Sequence, residues 1–437
     1  MKYSIVTFGC RVNQADSFQI EEQLIAAGGT ATAPQDADLI VVNTCSVTAA
    51  ADQGARQIVR RIARENPGAE IAVTGCYATR RPDEIAALPG VIHIIPNDRK
   101  QQLAGDLGLT TAERFGDGEG ACGAEIAPGL AGRTAYTLRV QTGCDQICAY
   151  CVIPSTRGRG RSKPVHDVLN EIQRVRTAGY REIALTGVHL GSYGRDLSDG
   201  PPLLGLLELI EQSAPDCRFR ISSLEPMDCS REIVELVAAS PCFAPHFHLP
   251  LQHASDRILA AMRRPYTLAF YRQLVDRIRL EMPHASIGSD VIAGFPGESD
   301  QDFADLESYL AESPLTHLHV FPYSDRPGTE AALHPSKVHG ALVRERAGRL
   351  RAVGRDLNRR FHLAQNGTVR SALTIEDGSM VVTDNYLKVR IPAGLPRNEW
   401  VTVRVSCVGE QLAGTVINHI NAAACCAGDL VSPSTIS

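Results

Sequence analysis

Residues 143–151 read GCDQICAYC, and they follow directly on a strand-like stretch over residues 136–141. Cys144, Cys148 and Cys151 thus stand in a C-x3-C-x2-C spacing at the end of a strand. Three thiolates this close along a chain can each bind one iron of a cubic iron–sulfur cluster, which leaves the fourth iron without a protein ligand. Such an iron is free to bind a small molecule directly. Zinc is the competing ligand. Its sites favour four ligands, commonly supplied as paired C-x2-C elements, and no fourth Cys or His lies close in sequence.

Beyond this loop, strand-like runs recur at 182–186, 218–223, 246–251, 286–293 and 317–322, with helical patterns between them. Val165, Val168, Leu169, Ile172 and Val175 fall on one helical face. Ser299 followed three residues later by Asp302 has the form of a helix cap. Six such β–α units predict a partial (β/α)6 barrel, since a closed barrel of this type needs eight. A long helix is expected over 336–364, rich in Lys and Arg against only Glu345 and Asp356.

Upstream, strands and helices also alternate. SIVTFGC, LIVVNTC and IAVTGC are three apolar runs that each end in a cysteine: Cys10, Cys45 and Cys76. Unbroken apolar runs suit a parallel sheet covered on both faces. The expectation is an α/β, doubly wound parallel sheet. Its strand ends share one edge, where ligands bind, so the three cysteines converge by topology. The simplest product is a second three-cysteine cluster site. Downstream, short β-rich runs between 368 and 417, separated by turn residues, predict a small all-β barrel. The expected domains are 1–115, 133–365 and 366–420, with a Gly- and Ala-rich linker over 116–132 and a loose tail over 421–437.

Composition sets outer limits. The chain has 437 residues, 44% hydrophobic and 21% charged, with a formal charge of −5. Two to four ordinary domains fit that length, and a generally basic nucleic-acid coat is ruled out, though a local basic strip is not. No apolar stretch approaches the length of a membrane span, and the N-terminus lacks the form of a secretory signal. A cytoplasmic location is expected. The 13 cysteines then sit in a reducing compartment, where a disulfide framework is not expected. The seven outside the two triads read as structural or incidental.

The motifs together resemble the radical S-adenosylmethionine methylthiotransferase family, most closely its MtaB type. They run in order as GCRVNQ (9–14), NTCSVTAAAD (43–52), TGCYA (74–78), GCDQICAYCVIPSTRGRGRS (143–162), LTGVHLGSYG (185–194), RISSLEP (220–226), HLPLQ (248–252), GFPGE (294–298) and HVFPYSDRPGTEA (319–331). The resemblance implies two [4Fe-4S] clusters, one on Cys144, Cys148 and Cys151 and one on Cys10, Cys45 and Cys76. It implies S-adenosylmethionine at the barrel cluster, reductively cleaved to a radical that takes hydrogen from C2 of an adenine beside the tRNA anticodon. The N-terminal cluster would supply the methylated sulfur. The C-terminal barrel resembles a TRAM domain, an OB-like RNA-binding module, although residues 366–418 hold five basic and five acidic residues. The partners implied are tRNA and an electron donor such as flavodoxin or ferredoxin.

Barrel strand ends carry the candidates for S-adenosylmethionine contact, because active sites lie on that face. They are Thr186 and Gly187, Ser222 and Glu225, with Tyr150 shielding the cluster or flanking the adenine. Arg157, Arg159, Arg161 and Lys163 crowd together directly after the cysteine loop and are candidates to grip RNA phosphates. Asp290 and His248 are assigned no role. Two other targets keep the same chemistry: N6-isopentenyladenosine in tRNA, or an aspartate of a ribosomal protein. A non-catalytic iron–sulfur RNA-binding or sensor protein is the reading of another class.

Overall fold

Strands buried on both faces need an apolar side chain at every position, and the N-terminal domain is built on such strands. The computed structural model describes residues 1–109, 127–128, 134–409 and 411–419. The expected tail, and the expected linker apart from Ala127 and Pro128, lie outside the described residues, as do Cys122, Cys425 and Cys426. Five parallel strands, β1 (Lys2–Thr7), β2 (Thr30–Ala31), β3 (Leu39–Thr44), β4 (Glu70–Gly75) and β5 (Val91–Ile95), pair in the order β2-β1-β3-β4-β5. Ile40 and Val42 pack into one apolar cluster, Leu39 and Val41 into the one on the opposite face. Two long helices, α1 (Arg11–Ala26) and α2 (Ala49–Glu65), and the short helices Cys76–Arg80 and Pro82–Ala86 link the strands; α2 is capped by the Thr48 hydroxyl accepting from the Ala51 amide. The doubly wound sheet is as expected from sequence, with β5 and the short edge strand β2 added. Its strand order reverses direction between β1 and β3, the place where such sheets open a crevice.

The second domain starts with β6 (Tyr136–Arg139). A two-stranded ribbon, β7 (Gln141–Thr142) and β8 (Arg161–Ser162), then brackets the cysteine loop. The parallel strands β9 (Glu182–Thr186), β10 (Arg218–Ile221), β11 (His246–His248), β12 (Ser286–Ala293) and β13 (His317–Pro322) follow. They form two sheets, β10-β9-β6 and β11-β12-β13, joined by the bridges Phe219↔Phe243 and Ser223↔His248. The result is the expected arc of six strands, open between β6 and β13. The Ser299 cap is a full capping box with Asp302. The helix Gly340–Ala364 covers β13, with Leu318 against Gly354.

The C-terminal strands β14 (Val369–Ile375), β15 (Met380–Thr383), β16 (Lys388–Arg390), β17 (Trp400–Val408) and β18 (Gln411–His419) close into a barrel in the order β14-β15-β16-β18-β17. This barrel sits under the amino ends of the radical-domain strands. Arg218 stacks on Trp400 at 4.2 Å, and Asn385 donates to the His284 carbonyl at 2.8 Å. Tyr386, at φ 69°, projects into the floor of the arc, where Arg220 lies 4.3 Å from its ring. Among the described residues no helix is long and apolar enough to cross a membrane.

One buried carboxylate ties the N-terminal domain to the arc. Asp16 on α1 accepts from Lys100 at 2.7 Å, from Arg157 at 2.9 Å and from Arg139 on β6. Burial opposes its charge, but the three cations outweigh burial and hold the carboxyl far below the usual range. Its folded pKa lies below the unfolded one, so its stabilisation is complete above about pH 3.9 and is lost as pH falls further. Asp16→Ala leaves three cations facing a void. The expected cost is about 3–5 kcal/mol, read as a lower urea midpoint for the transition that separates the first two domains.

Candidate functional site

The cysteine loop is held by its backbone. Gly143, at φ 72°, lies so close to the Arg159 carbonyl that no side chain fits there. The Cys144 amide donates to the Gly158 carbonyl at 3.0 Å, and the Ala149 amide to Met262 at 3.1 Å. Two donors point at sulfur: Arg264 Nη1 reaches Cys148 Sγ at 3.2 Å, and the Ile153 amide reaches Cys151 Sγ at 3.5 Å. Burial pushes the Cys151 thiol up to about 12. In a metal-free loop that keeps it protonated, and it ionises when metal binds.

The second triad forms as topology predicts. Cys10 follows β1, Cys45 follows β3 and Cys76 follows β4. Gly9 and Gly75 both sit at φ 100°, and a side chain at Gly9 would lie 2.9 Å from Cys45 Sγ. Burial, then the charge of Cys10, raises the Cys45 thiol to about 12. Cys76 moves the other way. Burial opposes its thiolate, but Arg157 and Lys100 overcome burial and lower its pKa. Asn97 Nδ2 lies 3.6 Å from Cys76 Sγ. The same cations that clamp Asp16 therefore favour negative sulfur beside it.

The donor sets suit clusters rather than single ions. Zinc–sulfur bonds of about 2.3 Å hold tetrahedral thiolates within about 4 Å of one another. Among the described residues, the one group of three metal-capable side chains closing within 4.8 Å is His248, Asp290 and His319, and neither cysteine triad does so. N–H donors aimed at sulfur are also the kind of partner that tunes an iron–sulfur cluster.

The candidates for S-adenosylmethionine contact gather around the barrel triad. Ser222 Oγ is buried without a hydrogen-bond partner among the described residues, as expected of a group awaiting a ligand. Glu225 binds Arg264, which links it to Cys148. Tyr150 is packed edge-on against Phe295, with centroids 6.4 Å apart. The Thr186 carbonyl already accepts from the Val140 amide at 2.9 Å, and Gly187 is glycine because Gln141 and Leu190 press against it. Sequence reasoning passed over Arg264 and His189. His189 Nδ1 lies 3.8 Å from Cys144 Sγ, and its Nε2 lies 2.7 Å from Asp228. The LTGVHLGSYG run contains this histidine, but Asp228, its partner, is 39 residues away.

Two of the four expected phosphate-gripping residues require correction. Arg157 is only 6% exposed and is spent on Asn13 at 2.5 Å and on Asp16. It clamps domains and cannot reach RNA. Lys163 is half-buried against Glu171. Arg159 and Arg161 do face solvent, lining a cleft of about 910 Å³ with Arg195 and Arg263 beside the cysteine loop.

The lumen below the triads holds a cluster that sequence left without a role. Asp290 Oδ1 lies 2.9 Å from His248 Nε2 and 3.0 Å from His319 Nδ1.

Comparisons with known proteins agree with this anatomy. A model of the Radical SAM superfamily matches residues 138–310, and one described as Uncharacterized protein family UPF0004 matches residues 2–96. A curated relative from Bacillus subtilis (strain 168), "Threonylcarbamoyladenosine tRNA methylthiotransferase MtaB", is 34% identical over 431 residues, covering 91% of this chain and 96% of that one. The chain belongs to the radical S-adenosylmethionine methylthiotransferase family. An Aquifex aeolicus (strain VF5) relative of the same name is 34% identical over 89% of this chain and 96% of its own. A "tRNA-2-methylthio-N(6)-dimethylallyladenosine synthase" from Syntrophobacter fumaroxidans is 33% identical over 84% of this chain and 83% of its own. The solved structure of the radical S-adenosylmethionine methyltransferase TsrM from Kitasatospora setae shares the fold, with a TM-score of 0.54 at 14% identity, covering 76% of this chain and 74% of that one. In this methylthiotransferase the cofactors the donor sets fit are two [4Fe-4S] clusters and S-adenosylmethionine.

Replacing Cys10, Cys45 and Cys76 together by Ala is expected to halve the iron of anaerobically reconstituted protein, from about eight to about four per chain. The remaining cluster should still support reductive cleavage of S-adenosylmethionine, read as 5′-deoxyadenosine release. Unchanged iron content would exclude the second site.

Proposed function

We propose that this enzyme installs a methylthio group at C2 of N6-threonylcarbamoyladenosine at position 37 of tRNA, next to the anticodon, in the cytoplasm. The observation that carries the reading is the full-length likeness to the threonylcarbamoyladenosine enzymes, combined with two cysteine triads held in fixed relation. When bound, the clusters and S-adenosylmethionine supply the one-electron chemistry and the sulfur that an inert purine C–H bond demands.

The protein's own groups have four tasks. Cys144, Cys148 and Cys151 hold one cluster, and Cys10, Cys45 and Cys76 the other. Ser222, Glu225 and the Thr186–Gly187 strand end orient S-adenosylmethionine, with Glu225 fixed through Arg264. Tyr150, Phe295 and Tyr323 form an apolar collar at the cysteine loop, with Ala149, Ile258 and Met262 behind them, and exclude water. Arg159 and Arg161 meet tRNA phosphates at the rim. A small protein of flavodoxin or ferredoxin type would supply the electron that a cluster on Cys144, Cys148 and Cys151 requires.

The likeness to the dimethylallyladenosine synthase keeps N6-isopentenyladenosine as the second reading. Mass spectrometry of tRNA nucleosides separates the two. Cells lacking this protein are expected to lose 2-methylthio from the threonylcarbamoyl nucleoside while keeping it on the isopentenyl one. The opposite pattern overturns the proposal.

A further inference from the structure

The inner face of the arc is set by strand register. Gly288 pairs with His317, Asp290 with His319 and His248 with Gly288. In parallel strands, directly paired residues point to the same side. The outer side is fixed by Leu318 packing on the helix Gly340–Ala364 and by Ser289 bonding to Tyr271 on the helix Leu268–Glu281. His246, His248, Asp290, His317 and His319 therefore all line the lumen. Their rings lie in a chain, with centroids 5.1 Å apart for His248–His319, 5.7 Å for His317–His319 and 6.3 Å for His246–His317.

Arg11, the residue after a cluster ligand, reaches into the same space from the opening between β6 and β13. It donates to the Tyr386 hydroxyl at 2.6 Å, and its charge acts on His319, His246 and Glu182. Glu182 pairs with Arg220 at 3.1 Å. Asp290 accepts from His319 at 3.0 Å, and that hydrogen bond raises the pKa of the imidazole. His317 and His246 are pushed down by burial and stay neutral. Among the described residues no carboxylate lies within ion-pair distance of Arg11, whose guanidinium meets only the hydroxyl and ring of Tyr386. His319, although in the lumen, keeps 57% of its side chain exposed, so the space beside it is open.

We propose that Arg11, His319 and His248 bind the carboxylate of the substrate's N6 substituent, and thereby select an anionic modified adenine over an apolar one. The proposal rests on the threonylcarbamoyl reading above and deepens it. On adenine, N6 projects away from C2, across N1. A base that presents C2 to the cluster-bearing strand ends directs its N6 substituent down the lumen. The threonyl carboxylate then meets the Arg11 guanidinium and ring N–H donors of the histidines, and its own charge strengthens each bond. Asp290 is a positioning residue: it accepts from both imidazoles and leaves their other nitrogens toward the ligand. An isopentenyl group in the same place would bury the Arg11 guanidinium without a carboxylate partner, which is the strong form of substrate rejection.

The test compares three anticodon stem-loops on reconstituted wild-type enzyme and on His319→Gln, Arg11→Gln and Arg11→Lys. One stem-loop carries N6-threonylcarbamoyladenosine, one carries its threonine-amide analogue and one carries N6-isopentenyladenosine. Wild type should show a KM about ten- to a hundredfold lower for the acid than for the amide, the ratio a lost charged hydrogen bond gives. That ratio should collapse toward one in His319→Gln and Arg11→Gln, and Arg11→Lys should restore part of it. Iron content equal to wild type certifies that each variant has folded. A ratio unchanged in the Gln variants overturns the proposal and leaves the substrate reading intact. So does a stoichiometric divalent metal in wild type that His319→Gln loses. Wild type that acts on the isopentenyl stem-loop alone overturns the substrate reading, and this proposal with it.

Discussion

A single buried carboxylate governs how this molecule is put together. Asp16 cannot stay charged in an apolar interior without partners. The partners that rescue it come from three places: Lys100 in its own domain, Arg139 on the first barrel strand and Arg157 just past the cysteine loop. One carboxylate thus draws cations from three separate segments to a single point, so the arrangement resists relaxation. The two cysteine triads flank this knot, and their separation is fixed by it. A second tie, from Arg326 to Asp52 at 2.6 Å and to the Ser46 carbonyl at 2.8 Å, holds the far side of the same interface. Reactions that pass a group between two metal centres tolerate little misplacement, and rigidity of this kind supplies the tolerance.

The same cations serve electrostatics as well as architecture. Arg157 and Lys100 lower the pKa of Cys76 although it is the more deeply buried, whereas burial and the neighbouring Cys10 hold Cys45 protonated. One thiol of the triad is thus predisposed to ionise. On the barrel side, burial raises the Cys148 thiol, and Arg264 opposes that rise while binding Glu225. Each triad has one arginine that links a sulfur to a distant carboxylate.

Much of the anatomy was legible in the sequence, and the parts that were not share a cause. β12 and β13 fall on the residues expected, because each ends in a short apolar stretch and stands between helical segments. The Cys10, Cys45 and Cys76 convergence was readable because strand ends of a parallel sheet share an edge. Arg157 and Lys163 were misread as free cations. No acid lies among residues 157–163, but Lys163's partner Glu171 stands eight residues on and Arg157's partner Asp16 is 141 residues away. Arg11 and Tyr386, separated by 375 residues, meet only through the packing of three domains. A fainter signal existed for the lumen: His246 and His248, then His317 and His319, repeat at a spacing of two on strands. That spacing puts each pair on one face, yet nothing in a single chain says the two pairs face each other.

The floor made by Tyr386 has a consequence for how a polynucleotide enters. The arc is sealed below by the C-terminal barrel and flanked on its open side by α1 and Arg11. A stacked, helical loop is far too wide for such a well. One nucleotide must swing out of its stack and descend alone, as enzymes that perform chemistry on a base generally require. The anticodon loop, with few paired neighbours to hold its bases in place, is where that extrusion costs least.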